Sequence, residues 1–149
     1  MNKSLALVQH LLAALRASYH CHQTSHWQVK GNTFYGDHQM MSRIYESVVD
    51  EIDTLAEKIV AKYGSDAVDC CDQIEMISDN VHWADEHSGH DPLRRALVVE
   101  ESLQKMFEKT YADLKSLNEM SLGMDDFIMS SANNHESNVY LLRQRLLAK

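Results

Sequence analysis

The sequence predicts an all-α four-helix bundle with one long connection between its second and third helices. Three observations carry this reading. Four long stretches place apolar residues three and four apart, chain breakers are scarce with only five Gly and one Pro, and the pattern weakens between Ser65 and Pro92. At 149 residues the chain has the length of one ordinary core, so a single domain over residues 1–149 is expected.

Helix 1 opens with Ser4 as its expected N-cap and carries Leu5, Val8, Leu12, Leu15, Tyr19, His22 and His26 on one stripe. It is expected to run to about Lys30 and stop at Gly31-Asn32. Helix 2, capped by Asp37 or a neighbour, carries Met41, Ile44, Tyr45, Val48, Ile52, Leu55, Ile59 and Tyr63 without interruption to Gly64-Ser65. A joint this tight makes the two helices antiparallel.

The segment from Ser65 to Pro92 reads as a crossover holding one short helix, Cys70 to Trp83, followed by a polar run from Ala84 to Asp91. Pro92 suits the first turn of helix 3, whose face is Leu93, Ala96, Val99, Leu103, Phe107, Tyr111 and Leu114, with an end expected near Gly123. Helix 4 spans about Met124 to Leu147 through Phe127, Ile128, Val139 and Leu142, and Arg143, Arg145 and Lys149 complement its dipole at the end. One long crossover between two helical pairs is the arrangement of ferritin-like bundles.

The formal charge of −8 repels phosphate backbones and attracts cations, which sets nucleic acid aside as a default partner. Three cysteines, two of them the adjacent Cys70 and Cys71, are poorly suited to a disulfide framework and fit a reducing cytoplasm. Gln9, His10 and Arg16 interrupt the N-terminal apolar residues, so neither a signal segment nor a membrane span is expected.

Glu46, Asp50, Asp53 and Glu57 fall within an arc of about 60° on helix 2, bordering its apolar face. Alone, such a stripe reads as a solvated face relieved by Arg43, Lys58 and Lys62. Beside it stand His22 and His26, one turn apart on helix 1, and His38 at the start of helix 2. Either histidine of helix 1 also reads as a core side chain with a backbone partner. Imidazoles with carboxylates, and no thiolate cluster, suit iron, manganese or zinc. His26, Asp53 and Glu57 make one ligand set that stabilises ferric iron and leaves open positions. Trp27 reads as packing against the end of helix 1, and His82, His87 and His90 as solvated side chains of the crossover.

The run His26-Trp27-Gln28-Val29-Lys30-Gly31-Asn32-Thr33-Phe34-Tyr35-Gly36-Asp37-His38, followed by Asp53-Thr54-Leu55-Ala56-Glu57, resembles the signature of Dps-type miniferritins. The stretch from His135-Glu136 to Leu142-Arg143 echoes that family's ending, so the resemblance spans nearly the whole chain and is weakest from Ser65 to Pro92. It implies a ferroxidase site with His26, His38, Asp53 and Glu57 as ligands. It also implies assembly into a shell of twelve, with each site built by two-fold-related subunits, and storage of iron oxidised by peroxide or oxygen. In similar proteins an aromatic residue near the iron intercepts oxidising radicals, a role open to Trp27.

One position departs from the pattern. Ser42 stands where the family usually has the Asp that serves the second iron. Glu46, one turn on, or Asp50 is the expected substitute oxygen donor, with His22 as an additional nitrogen donor. The DNA-associating members carry a basic tail, whereas only Lys3 precedes helix 1 here, so DNA binding is not expected. The competing reading is a non-catalytic shell that keeps one metal per site as a structural feature.

Overall fold

Asn2, and not Ser4, caps the first helix. Its side-chain oxygen accepts the Leu5 amide at 3.1 Å, and Ser4 is buried one position inside α1, Lys3–Gln28. The computed structural model describes residues 2–147, so the expectation placed on Lys149 lies outside the described residues. After α1, Gly31 takes φ +94°, a left-handed conformation that ends the helix and lets the chain reverse.

The expected second helix is two. α2, Phe34–Ser47, and α3, Val49–Tyr63, are separated at Val48. The Ser47 hydroxyl donates to the Ile44 carbonyl at 2.8 Å, competing with the backbone ladder where the helix is interrupted. Periodicity could not reveal this, because Ile44, Val48, Leu55 and Ile59 stay buried on both sides of the break. Asp37 does not cap α2 either; it lies within the first turn, and its carboxylate is committed elsewhere.

Gly64, at φ +92°, ends α3. A single 3-10 turn, Ser65–Val68, leads to α4, Cys70–His87, capped by Asp69, whose side chain accepts the Asp72 amide at 3.0 Å. This helix is longer than the expected Cys70 to Trp83, because Gln73, Ile77 and Ala84 form a helical stripe that packs on α1 and α5. α5, Pro92–Ser116, begins with Pro in its first turn as expected. It ends earlier than Gly123: Asn118 adopts φ 56°, and Gly123 lies inside α6, Leu122–Leu147.

α1 packs against α2 and α3 on one side and α5 on another, α6 packs against α5 and α3, and α4 lies outside the bundle against α1 and α5. The ring of four is therefore α1, the α2–α3 pair, α6 and α5. Its core is Leu11, Leu12 and Leu15 from α1, Leu55 and Ile59 from α3, Leu103, Phe107 and Leu114 from α5, and Phe127 and Ile128 from α6. A smaller cluster of Val29, Met41, Ile44, Leu93, Ala96 and Leu142 fills the end where α1 turns into α2. No helix among the described residues is long and apolar enough to cross a membrane.

Candidate metal centre

The turn between α1 and α2 brings His26 and His38 face to face. Their rings stack with centroids 3.6 Å apart and planes 16° from parallel. His26 Nδ1 donates to the His38 carbonyl at 2.6 Å, and His38 Nδ1 donates to the His26 carbonyl at 2.7 Å. A carbonyl only accepts, so both Nδ1 atoms carry protons. In the neutral rings both Nε2 atoms then keep free lone pairs, the arrangement by which metal-binding histidines are oriented. Both residues are partly buried, with the Phe34 ring stacked on His38 and Tyr45 tilted against His26.

A second device fixes the entry to α2. Arg145, from the last turns of α6, grips Asp37 through Nε and Nη2 at 2.7 and 3.0 Å, and Nη2 also donates to Thr33 Oγ1 at 2.7 Å. Asp37 adjoins His38, so this two-point clamp holds the turn on which the histidine rides. The sequence reading assigned Arg145 to the helix dipole alone; nothing in the spacing links it to a residue 108 positions away.

The carboxylate stripe is exposed throughout, with Glu46 on α2 and Asp50, Asp53 and Glu57 on α3. Among the described residues none of the four pairs with Lys or Arg: Lys62, expected to relieve them, pairs with Glu119 at 2.6 Å. Glu46 alone has a side-chain partner, accepting the Ser42 hydroxyl at 3.2 Å. Within one chain, no three His, Cys, Asp or Glu side chains among the described residues form a metal-holding group. His26 and His38 are brought together; Asp53 and Glu57, one turn apart, share another face.

His22 belongs elsewhere. It is fully buried, and its Nε2 meets Glu100 Oε1 at 2.8 Å, so it does not join the His26–His38 pair as the additional nitrogen donor. Glu100, from α5 and also fully buried, bonds through its other oxygen to His135 Nδ1, and His135 Nε2 reaches Glu51 Oε2 at 3.0 Å. All four helices of the ring thus contribute to one buried chain of imidazoles and carboxylates, to which Asn138 adds a contact to Glu100 at 3.4 Å. Burial alone would raise the Glu100 carboxyl, but the charge and hydrogen bond of His135, with His22 adding its own, pull it down to about 2. Burial would likewise lower His135, yet Glu100 and then Glu51 push it up to about 10. His135 is therefore an imidazolium held between two carboxylates.

This network escaped the sequence reading, although a signal was present. Glu100 falls on the α5 stripe between Ala96, Val99 and Leu103, where a carboxylate demands a buried partner. Trp27 is 65 % exposed, so it does not pack against the end of α1 within the chain. The crossover histidines find separate partners: His87 stacks on Trp83, His90 meets Asp85 at 2.6 Å, and His82 is exposed. All three cysteines are free, Cys21 buried and Cys70 and Cys71 exposed.

The chain superposes on a solved structure described as Mycobacterium smegmatis Dps tetragonal form, with a TM-score of 0.69 at 23 % identity, over 98 % of this chain and 90 % of that one. The fold is that of a Dps-type miniferritin. A curated DNA protection during starvation protein from Helicobacter pylori (strain J99 / ATCC 700824) is 36 % identical over 58 residues, 39 % of this chain. The match spans 40 % of that relative's length. Sequence likeness and fold thus agree on the Dps-type miniferritins that the histidine and Asp-x-x-x-Glu motifs resemble. No family model matches the chain.

Proposed function

We propose that this chain is the subunit of a Dps-like shell that binds ferrous iron, oxidises it with peroxide or oxygen, and stores the ferric product. The observation that carries the reading is the reciprocal His26–His38 clamp, which holds two imidazoles with their Nδ1 protons on carbonyls and their Nε2 lone pairs unused. The carboxylates that would complete the site, Asp53 and Glu57, are exposed and unpaired among the described residues. Two half-sites without a whole one in a single chain point to assembly between copies, with the histidines of one facing Asp53 and Glu57 of another across a two-fold axis.

The site suits a hard cation whose charge rises on oxidation. Carboxylate oxygens stabilise the ferric product more than the ferrous substrate, while imidazole nitrogens bind either state. Zinc or manganese fits the same donors. An oligomer, expected as a dodecamer, supplies both the second half-site and an enclosed volume for product. The acidic balance of the chain disfavours DNA as a partner.

Anaerobic loading with ferrous ion followed by peroxide tests the proposal. Ferric absorbance should rise and particle mass increase, and His26→Ala or Asp53→Asn should abolish the rise without dissolving the oligomer. A wild-type chain that accumulates no ferric product sinks the ferroxidase reading. Retained metal without turnover would instead fit the non-catalytic shell, which Ser42, lacking the family's carboxylate, favours.

A further inference from the structure

The hairpin that carries the two imidazoles is held from outside at both ends, each time by an arginine. The reciprocal bonds of 2.6 and 2.7 Å make such support necessary. Each imidazole donates to the carbonyl of the other residue, so a slip of about half an ångström between the end of α1 and the start of α2 weakens both bonds together. The turn itself does not prevent that slip, because its corner is the left-handed Gly31, where even an added Cβ would touch nothing.

On the His26 side the arginine is Arg95, buried in the first turn of α5. Its Nη2 donates to Ser25 Oγ at 2.9 Å and to Gln28 Oε1 at 2.7 Å, the residues that flank His26 in the last turn of α1. Ser25 passes the contact on, donating to the Pro92 carbonyl at 2.9 Å. On the His38 side Arg145, from α6, holds Asp37 and Thr33, and Thr33 Oγ1 closes the ring by donating to Asp37 Oδ2 at 2.8 Å.

Arg95 is not arranged as a stabilising ion pair would be. Its carboxylate, Asp85, lies 3.3 Å away, its shortest bond goes to the neutral Gln28 amide, and its buried Nε has no partner among the described residues. A buried cation left partly unsatisfied costs stability, so what the guanidinium secures is the placement of the last turn of α1.

Resting on the proposed function, we propose that Arg95 and Arg145 are positioning residues of the metal centre, each fixing the helix end that carries one imidazole and so keeping the two Nε2 lone pairs in register. Because each Nδ1 bond ends on the other residue's carbonyl, releasing either end undoes both. Partners that orient metal-binding histidines from behind typically tune affinity by about 10- to 100-fold.

The test compares Arg95→Lys, Gln28→Ala, Arg145→Lys and the double variant Gln28→Ala/Arg145→Lys in the assembled full-length protein. Gln28 is exposed, so its variant reports on the Arg95 contact even where Arg95→Lys fails to fold. Without metal, amide hydrogen exchange read by mass spectrometry should quicken in residues 26–38 and stay at the wild-type rate in α3. The tightest Zn2+ site should weaken by about 10-fold in each single variant, the absorption bands of bound Co2+ should shift, and the double variant should lose no more than the worse single one. Glu100→Gln, which disturbs the core network and not the hairpin, should keep the wild-type Zn2+ affinity and Co2+ bands. Wild-type exchange in residues 26–38 of both Gln28→Ala and Arg145→Lys, losses that multiply in the double variant, or an equal loss in Glu100→Gln overturns the positioning role and leaves the proposed function standing. No Zn2+ binding in wild type overturns the proposed function, and the inference with it.

Discussion

Two groups of histidines and carboxylates stand in this molecule, and they have opposite fates. Around Glu100, every helix of the ring sends a side chain inward, and the acids and bases neutralise one another out of reach of water. Around His26 and His38, the imidazoles bond only to backbone carbonyls, and the nearby carboxylates remain exposed. Residue type does not separate the two groups. What separates them is access: the imidazoles and carboxylates around Glu100 hold one another inside the core, whereas the donor atoms of the second group lie where an ion from solvent can reach them.

The sharpest way to break the comparison is to remove the centre of the sealed group. Glu100→Ala leaves the His135 imidazolium buried beside one carboxylate and strands His22, a loss expected to cost about 3–5 kcal/mol. Urea unfolding measures it, and a change under about 1 kcal/mol would mean the network is not a stabilising element.

The same centre makes a pH signature. Glu100 is held at about 2 against an ordinary 4.5, so its contribution is present above pH 4.5 and is lost as pH falls toward 2. His135 is held at about 10 against 6.5, so its contribution is complete below pH 6.5 and is lost as pH rises through 10. The difference in urea midpoint between wild type and Glu100→Gln should therefore be widest between pH 4.5 and 6.5 and shrink on both sides. A difference that is flat with pH contradicts the charged pair.

At the open group the expectations reverse. Asp53→Asn should weaken metal binding by more than about 10-fold while moving stability by less than about 0.5 kcal/mol, because an exposed side chain without partners supports little of the fold. Calorimetry and thermal melting on one sample separate the two effects. Arg145→Lys should be milder, costing about 1 kcal/mol, since an ammonium cannot reproduce the two-point grip on Asp37. Smallest of all is the effect of duplex DNA, which at moderate salt should leave the mobility of the protein unshifted.

The bundle was legible because apolar spacing reports burial, and burial is what four packed helices share. The helix ends were less so. Ser4 and Asn2 are both good caps, and only the geometry of the first turn decides between them. The break at Val48 leaves the apolar stripe intact, so it has no sequence signature. Within the candidate site, the meeting of His26 and His38 followed from a tight turn between antiparallel helices. His22 lies on the same stripe as His26, yet four residues move it from the mouth of the turn to the middle of the core, where Glu100 waits. Long-range polar partners such as Glu51 and His135, or Asp37 and Arg145, leave no local trace, because their pairing depends on which helices become neighbours.

The histidine clamp also bears on when the site forms. His26 and His38 are 12 residues apart, and loops of about that length close in roughly 10–100 ns, whereas Glu51 and His135, 84 residues apart, must await the assembled bundle. A growing chain can therefore bring these two imidazoles together before it owns a core. If the site takes metal as proposed, ions bound to this early hairpin would stabilise the unfinished chain along with the finished one. The melting temperature should accordingly rise less on metal addition than the affinity of the complete shell alone would require.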